Sequence, residues 1–223
     1  NPNSRIWEFS QAGTPYPKPE DYTGAKSYRE FLQTVKQNGK HGQKFAYKTI
    51  NTDALAWVIT KVCDKPLADL ISERFFKPMG AHIEGYYQLD ATGTEFAGGG
   101  FNAALRDLAA FGEMIRNDGF FNGKQIIPQG LMRDIIENSN ANKFDKDSYP
   151  LLKGWAYRNM WWVMKNSDQA FCARGVHGQV IYINPVAETV IVRLASHPNA
   201  SNSVNDPFSL PAYQAVADYL KTK

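Results

Sequence analysis

The stretch FAYKTINTDALAWVI, residues 45–59, puts a tyrosine directly ahead of a helical pattern. Tyr47 offers an ionisable hydroxyl on the chain that enters the helix. Either it packs, half-buried with its hydroxyl on a backbone partner, or it carries a proton into a cleft. Two other stretches hold residue types suited to chemistry. The glycines of GGGF, residues 98–101, either give a flexible approach to the next helix or let backbone pack close to a ligand or strand. No phosphate-loop lysine accompanies them, so they make no nucleotide site. RGVHGQ, residues 174–179, opens a strand-like run. Glycines there allow close backbone approach, and a free N–H at such an edge can hold a developing oxyanion. His177 is either a base or a strand histidine with a satisfied ring.

Other chemistries find little support. His41, His82, His177 and His197 show no H-x-x-x-H or H-E-x-x-H spacing, so neither a metal nor another cofactor is expected. Cys63 and Cys172 lie far apart; Cys63, beside Val62, reads as a small buried hydrophobe. The net charge of +3 is spread out, with Lys36, Lys40 and Lys44 separated by polar residues or glycine, which argues against a nucleic-acid stripe. No apolar run reaches membrane-spanning length. A chain of 223 residues, 43% hydrophobic, is long enough to bury a sizeable core.

These candidates must be held by secondary structure. Residues 1–28 carry no sustained period but have aromatic anchors at Trp7, Phe9, Tyr16 and Tyr22. A short helix is expected over Ser27–Gln37, with Phe31, Leu32 and Val35 at helical spacing. The helix after Tyr47 takes Asn51 or Thr52 as its cap, and Leu55, Val58, Ile59 and Val62 recur at i, i+3, i+4, i+7. Asp64 is expected to cap a second helix, with Pro66 in its first turn, Leu67, Leu70 and Ile71 on one face, and KPMG as its stop. Asn102 is expected to cap a third, turning Leu105, Leu108, Ala109 and Ile115 inward and stopping at Gly119. A shorter one starts near Pro128. After about residue 155, NMWWVM, HGQVIYIN and ETVIVRLAS read as strands, the last two as a hairpin around NPVAE. Val180–Ile183 is apolar at consecutive positions, so both faces of that strand should be covered. LPAYQAVADYLKTK closes the chain as a helix, with Tyr213, Val216, Ala217 and Leu220 on one side. The order predicts an α+β architecture: a mainly helical region over 1–150, then antiparallel strands and a C-terminal helix over 151–223.

Taken together, TDALAWV after Tyr47, KPMGA, GGGFNAALRDLAAFGEM, WWV and GVHGQVIYINP followed by TVIVRLAS resemble the serine β-lactamase and penicillin-binding-protein superfamily. Within it the pattern is most similar to the 6-aminohexanoate-dimer hydrolases and class C-like esterases. The resemblance extends over nearly the whole chain and implies a β-lactamase-like fold. It also implies a bacterial serine hydrolase that opens a small-molecule amide or ester through an acyl-enzyme.

Such enzymes use a Ser-x-x-Lys nucleophile at a helix start, a tyrosine element and a strand-borne element. No serine here has lysine three residues later; Thr23 to Lys26 has the spacing but sits in a Pro/Gly-rich loop. The resemblance therefore implies that the nucleophile lies in an N-terminal portion of the same enzyme, which this chain needs as its partner. Tyr47 takes the proton-passing role, in an element that reads Tyr47-Lys48-Thr49. The strand element falls on Ala173-Arg174-Gly175, making the N–H of Val176 the oxyanion donor; a rival register falls on His177-Gly178-Gln179. Substrate contacts are expected from Gly175, His177 and Arg174. Arg174 either replaces the missing strand lysine or points away. One of Trp161 and Trp162 lines the acyl pocket and the other is core. The alternative, from a different class, is a non-catalytic relative that binds peptide or peptidoglycan-like ligands.

Overall fold

The computed structural model describes residues 5–145 and 147–223, and the chain forms two compact units. One comprises Asn1–Lys40, Tyr47–Phe75 and Glu84–Ala103; the other comprises His41–Ala46, Phe76–Ile83 and Ala104–Lys223.

The first unit holds helices α1 (Ile6–Ala12), α2 (Tyr28–Gln33), α3 (Thr49–Cys63) and α4 (Leu67–Ile71). A short antiparallel pair, β1 (Tyr86–Tyr87) and β2 (Phe101–Asn102), completes it. Its core is aromatic. Phe9, Tyr28 and Phe31 are buried with Ala12, and Phe96 packs on them; Tyr28 and Phe96 stack at 5.2 Å between ring centroids. Of the expected anchors, Phe9 is therefore core, whereas Trp7 and Tyr16 are exposed. Ser27 caps α2, its side chain accepting from the N–H of Glu30 at 3.1 Å. That helix stops at Gln33, leaving Val35 beyond it and exposed.

Helix α3 corrects four expectations. It begins at Thr49, after an extended Lys48 (φ −139, ψ 105), so Asn51 and Thr52 lie inside its first turns instead of capping it. Leu55, Val58, Ile59 and Val62 are exposed, and the buried residue of this helix is Asp53. A helical period shows that residues share a face but does not say what covers it. Cys63 is exposed as well. Asp64 closes α3 in a left-handed conformation (φ 49) instead of opening α4. Pro66 precedes α4, whose Leu67 and Leu70 are buried.

The second unit holds α5 (Lys77–Met79), α6 (Leu105–Arg116), a hairpin of β3 (Phe120–Phe121) and β4 (Lys124–Gln125), and α7 (Leu131–Glu137). Strands β5 (Ala156–Arg158), β6 (Trp161–Val163), β7 (Phe171–Arg174), β8 (Val180–Asn184) and β9 (Thr189–Arg193) follow, and α8 (Asp206–Leu220) ends it. The five strands form one antiparallel sheet in the order β5-β6-β7-β8-β9. The β8–β9 hairpin pairs Val180 with Arg193 through Asn184 with Thr189, in the place the sequence predicts. Helix α6 packs on β8 and β9. Gly112 allows this approach, since a Cβ there would lie 2.6 Å from Val190. On the other face Trp162, Cys172 and Tyr182 join Tyr213 of α8 in a core with Phe144, Leu152 and Trp155. Alternate residues of β8 thus meet different layers, which is why its apolar run is continuous. Asn102 lies in β2 and does not cap α6, and Leu105 is exposed. The buried Asp107 instead ties α6 to the preceding segment by accepting from the N–H groups of His82 (2.9 Å) and Ile83 (3.1 Å).

Candidate functional site

In the first unit the tyrosine stands where the helix begins. Tyr47 lies two residues ahead of Thr49, on extended chain, and is about half exposed. One turn into the helix is Asp53, 5% exposed. Its Oδ1 accepts from the N–H of Gly98 at 3.1 Å. Gly98 packs so closely that a Cβ there would meet Thr49 Cγ2 at 2.5 Å and Asp53 Oδ2 at 2.7 Å. The glycines at 98–100 therefore let backbone lie against α3 and Phe96. Burial pushes the Asp53 carboxyl up to about 6, against a pull downward from the N–H groups of Gly98, Ala97 and Asp53 itself. Burial, and then the charge of Asp53, raise the Tyr47 phenol above its ordinary pKa, so it holds its proton at neutral pH.

In the second unit the stretch expected to open a strand is a tight turn. Strand β7 ends at Arg174 and β8 starts at Val180; residues between them reverse the chain, with Gly175 N–H donating to Gln179 O at 2.9 Å. His177 is left-handed (φ 59), as is Gly178 (φ 93). Neither Val176 nor His177 is in a strand, so the expectation that this stretch opens one is corrected.

Side chains pin this turn. Asn202 donates to Gly175 O at 2.9 Å and accepts from Gly178 N–H at 3.1 Å. The Gln179 amide pairs with the backbone of Ala195 in both directions. His177 Nδ1 donates to His197 O at 2.7 Å, and the His177 N–H donates to Ala200 O at 3.2 Å. Among the described residues, the N–H groups of Gly175, His177, Gly178 and Gln179 all have acceptors, whereas that of Val176 has none. Val176 is 63% exposed. The result is a pinned turn whose Val176 N–H has no acceptor among the described residues, the kind of donor that can receive negative charge.

The remaining sequence candidates are buried. Arg174 points away from solvent. Its side chain is 6% exposed, pairs with Asp206 at 2.5 Å, and lies over Trp162 and Trp155 at 5.3 and 5.8 Å. Trp161 and Trp162 are both buried on opposite faces of β6: Trp161 meets Phe171 and Phe111, and Trp162 enters the aromatic core. Cys172 is buried, which pushes its thiol up to about 12, and is a free thiol like Cys63. Among the described residues no cluster of His, Cys, Asp or Glu could hold a metal ion, and no helix is long and apolar enough to cross a membrane.

A family model described as Beta-lactamase matches residues 10–213. The chain belongs to the beta-lactamase family. Among its relatives is the 6-aminohexanoate-dimer hydrolase of Paenarthrobacter ureafaciens, 29% identical over 171 residues, which are 76% of this chain and 43% of that protein. A solved structure from Bacillus anthracis, provisionally assigned as a 6-aminohexanoate-dimer hydrolase, superposes with a TM-score of 0.85 at 32% identity. It matches 97% of this chain and 54% of its own length. The chain thus spans about half the length of the relatives it matches, and shares the beta-lactamase-like α+β fold with them. Asp53 and Asn202 escape a reading of the sequence, because each is an ordinary polar residue until the fold brings it to its partner.

Proposed function

We propose that these residues belong to a serine hydrolase that opens a small amide or ester through an acyl-enzyme. The observation that carries this reading is the Val176 N–H. It lacks an acceptor among the described residues, in a pinned turn, in a family whose matched relatives are named as hydrolases. In this role it takes the negative charge that develops on the carbonyl oxygen. Tyr47 passes the proton between nucleophile and leaving group. As a phenol it can donate; to accept as well it needs a neighbouring cation, the part a Ser-x-x-Lys lysine would play. No serine in the 223 residues has lysine three positions later, so this reading takes nucleophile and lysine from sequence outside them. Gly175 lets the two arms of the turn that carries Val176 come together, since a Cβ there would lie 2.9 Å from Gln179 Cβ. Arg174, engaged by Asp206, is not free to replace the strand lysine of the β-lactamases. The dimer of 6-aminohexanoate, named for the Paenarthrobacter relative, is the first substrate to assay.

The test is covalent. A serine-directed phosphonate should leave the 223-residue chain unlabelled in mass spectra. The same chain joined to a Ser-x-x-Lys segment should gain one adduct, on that serine. Stoichiometric labelling of the 223 residues at an internal serine would contradict the reading.

A further inference from the structure

Asp53 has a second oxygen, Oδ2, that is buried and has no hydrogen-bond partner among the described residues; the same holds for two buried donors, Trp57 Nε1 and Arg29 Nε. All three residues line one cavity of about 10 Å³ within the first unit. Buried polar atoms are almost always satisfied, so three unmet in one place call for a partner. A cavity of this size has room for one water, and a water needs two to four polar partners. Two N–H donors and one carboxylate oxygen match its two lone pairs and one of its protons. The donors repel a cation, and the carboxylate repels an anion.

We propose that this cavity is a water site, in which one molecule accepts from Trp57 and Arg29 and donates to Asp53, and that the bridge makes Asp53 the residue that positions Tyr47. The bridge joins α3, through Asp53 and Trp57, to Arg29 of α2, while Oδ1 holds Gly98. Asp53 would thereby be fastened on both sides within the first turns of α3, the helix that Tyr47 and Lys48 lead into. The remaining titratable groups that line the cavity are Tyr28, held up to about 12 by burial and then by Asp53 and Asp90, and Glu95. The functional consequence rests on the proton-passing role given to Tyr47; the water site and the coupling do not, and their test measures no turnover.

A crystal structure at about 1.5 Å should show one fully occupied water within hydrogen-bonding distance of Asp53 Oδ2, Trp57 Nε1 and Arg29 Nε. The Trp57→Phe variant should lose it or hold it at reduced occupancy. Absence of that water from the wild-type map, or a metal ion in its place, would overturn the site. The coupling is read from the ultraviolet titration of tyrosine, with the Tyr47→Phe spectrum subtracted to isolate Tyr47. Asp53→Asn keeps an oxygen for Gly98 but removes the charge, so the Tyr47 midpoint should fall below that of wild type. Trp57→Phe leaves the charge but loosens its anchor, and should move the midpoint by less. A Tyr47 midpoint unmoved by Asp53→Asn would end the positioning role.

Discussion

Asp53→Asn should change how stability depends on pH. The Asp53 carboxyl lies at about 6 in the folded chain against an ordinary value of 3.8. That gap of roughly two pH units, at about 1.4 kcal/mol each, amounts to about 3 kcal/mol. The folded state holds this proton more tightly than the unfolded state. Its contribution is therefore fully present below about pH 3.8 and is lost as pH rises through about 6. At pH 7 the wild type carries a buried charge that the amide does not, so the variant should gain up to about 3 kcal/mol relative to wild type between the two pH values. A water donating to Oδ2 favours the anion and makes this an upper bound. Urea unfolding of both proteins at about pH 4 and pH 7.5 gives the comparison, and the other carboxylates cancel because they are common to both. A difference between the proteins that stays constant within about 0.5 kcal/mol would refute the burial argument.

Arg174→Ala should leave Asp206 buried and unpaired and cost about 3–5 kcal/mol in urea unfolding; a near-neutral effect would show that the pair does not support the fold. In the polypeptide that carries the nucleophile, Val176→Ala should be mild in kcat, whereas Val176→Pro should lose roughly 10²–10³. Proline fits because Val176 opens its turn after an extended Gly175 (φ −108, ψ 168), so retained circular dichroism with normal turnover would remove the oxyanion role. His177→Gln should keep most turnover, since the imidazole is tied to the His197 carbonyl; a loss of roughly 10³ with the fold retained would place the ring in the chemistry.

The α+β order, the β8–β9 hairpin and the helix after Tyr47 are legible in the sequence because each rests on local periodicity or turn chemistry. Strands β5 and β7 are not, since AYR and FCAR are too short to show a period. The apolar stripe Leu55, Val58, Ile59 and Val62 looks like a core face and is exposed, because amphipathicity reports a shared side and not a neighbour. The turn at 175–179 looks like strand because GVHGQVIYIN is continuous with a true strand; its reversal depends on left-handed residues and on Asn202, 27 positions from Gly175. Tyr47 and Val176 are visible through resemblance, whereas Asp53 acquires meaning from Gly98, 45 residues away.

The most direct test of the central claim is the hydrolysis of 6-aminohexanoate dimer by the polypeptide that joins these residues to a Ser-x-x-Lys segment, compared with its Tyr47→Phe variant. The account predicts turnover by the parent and a loss of roughly 10² or more in the variant, with thermal unfolding little changed. Near-normal turnover by the Tyr47→Phe protein would contradict it.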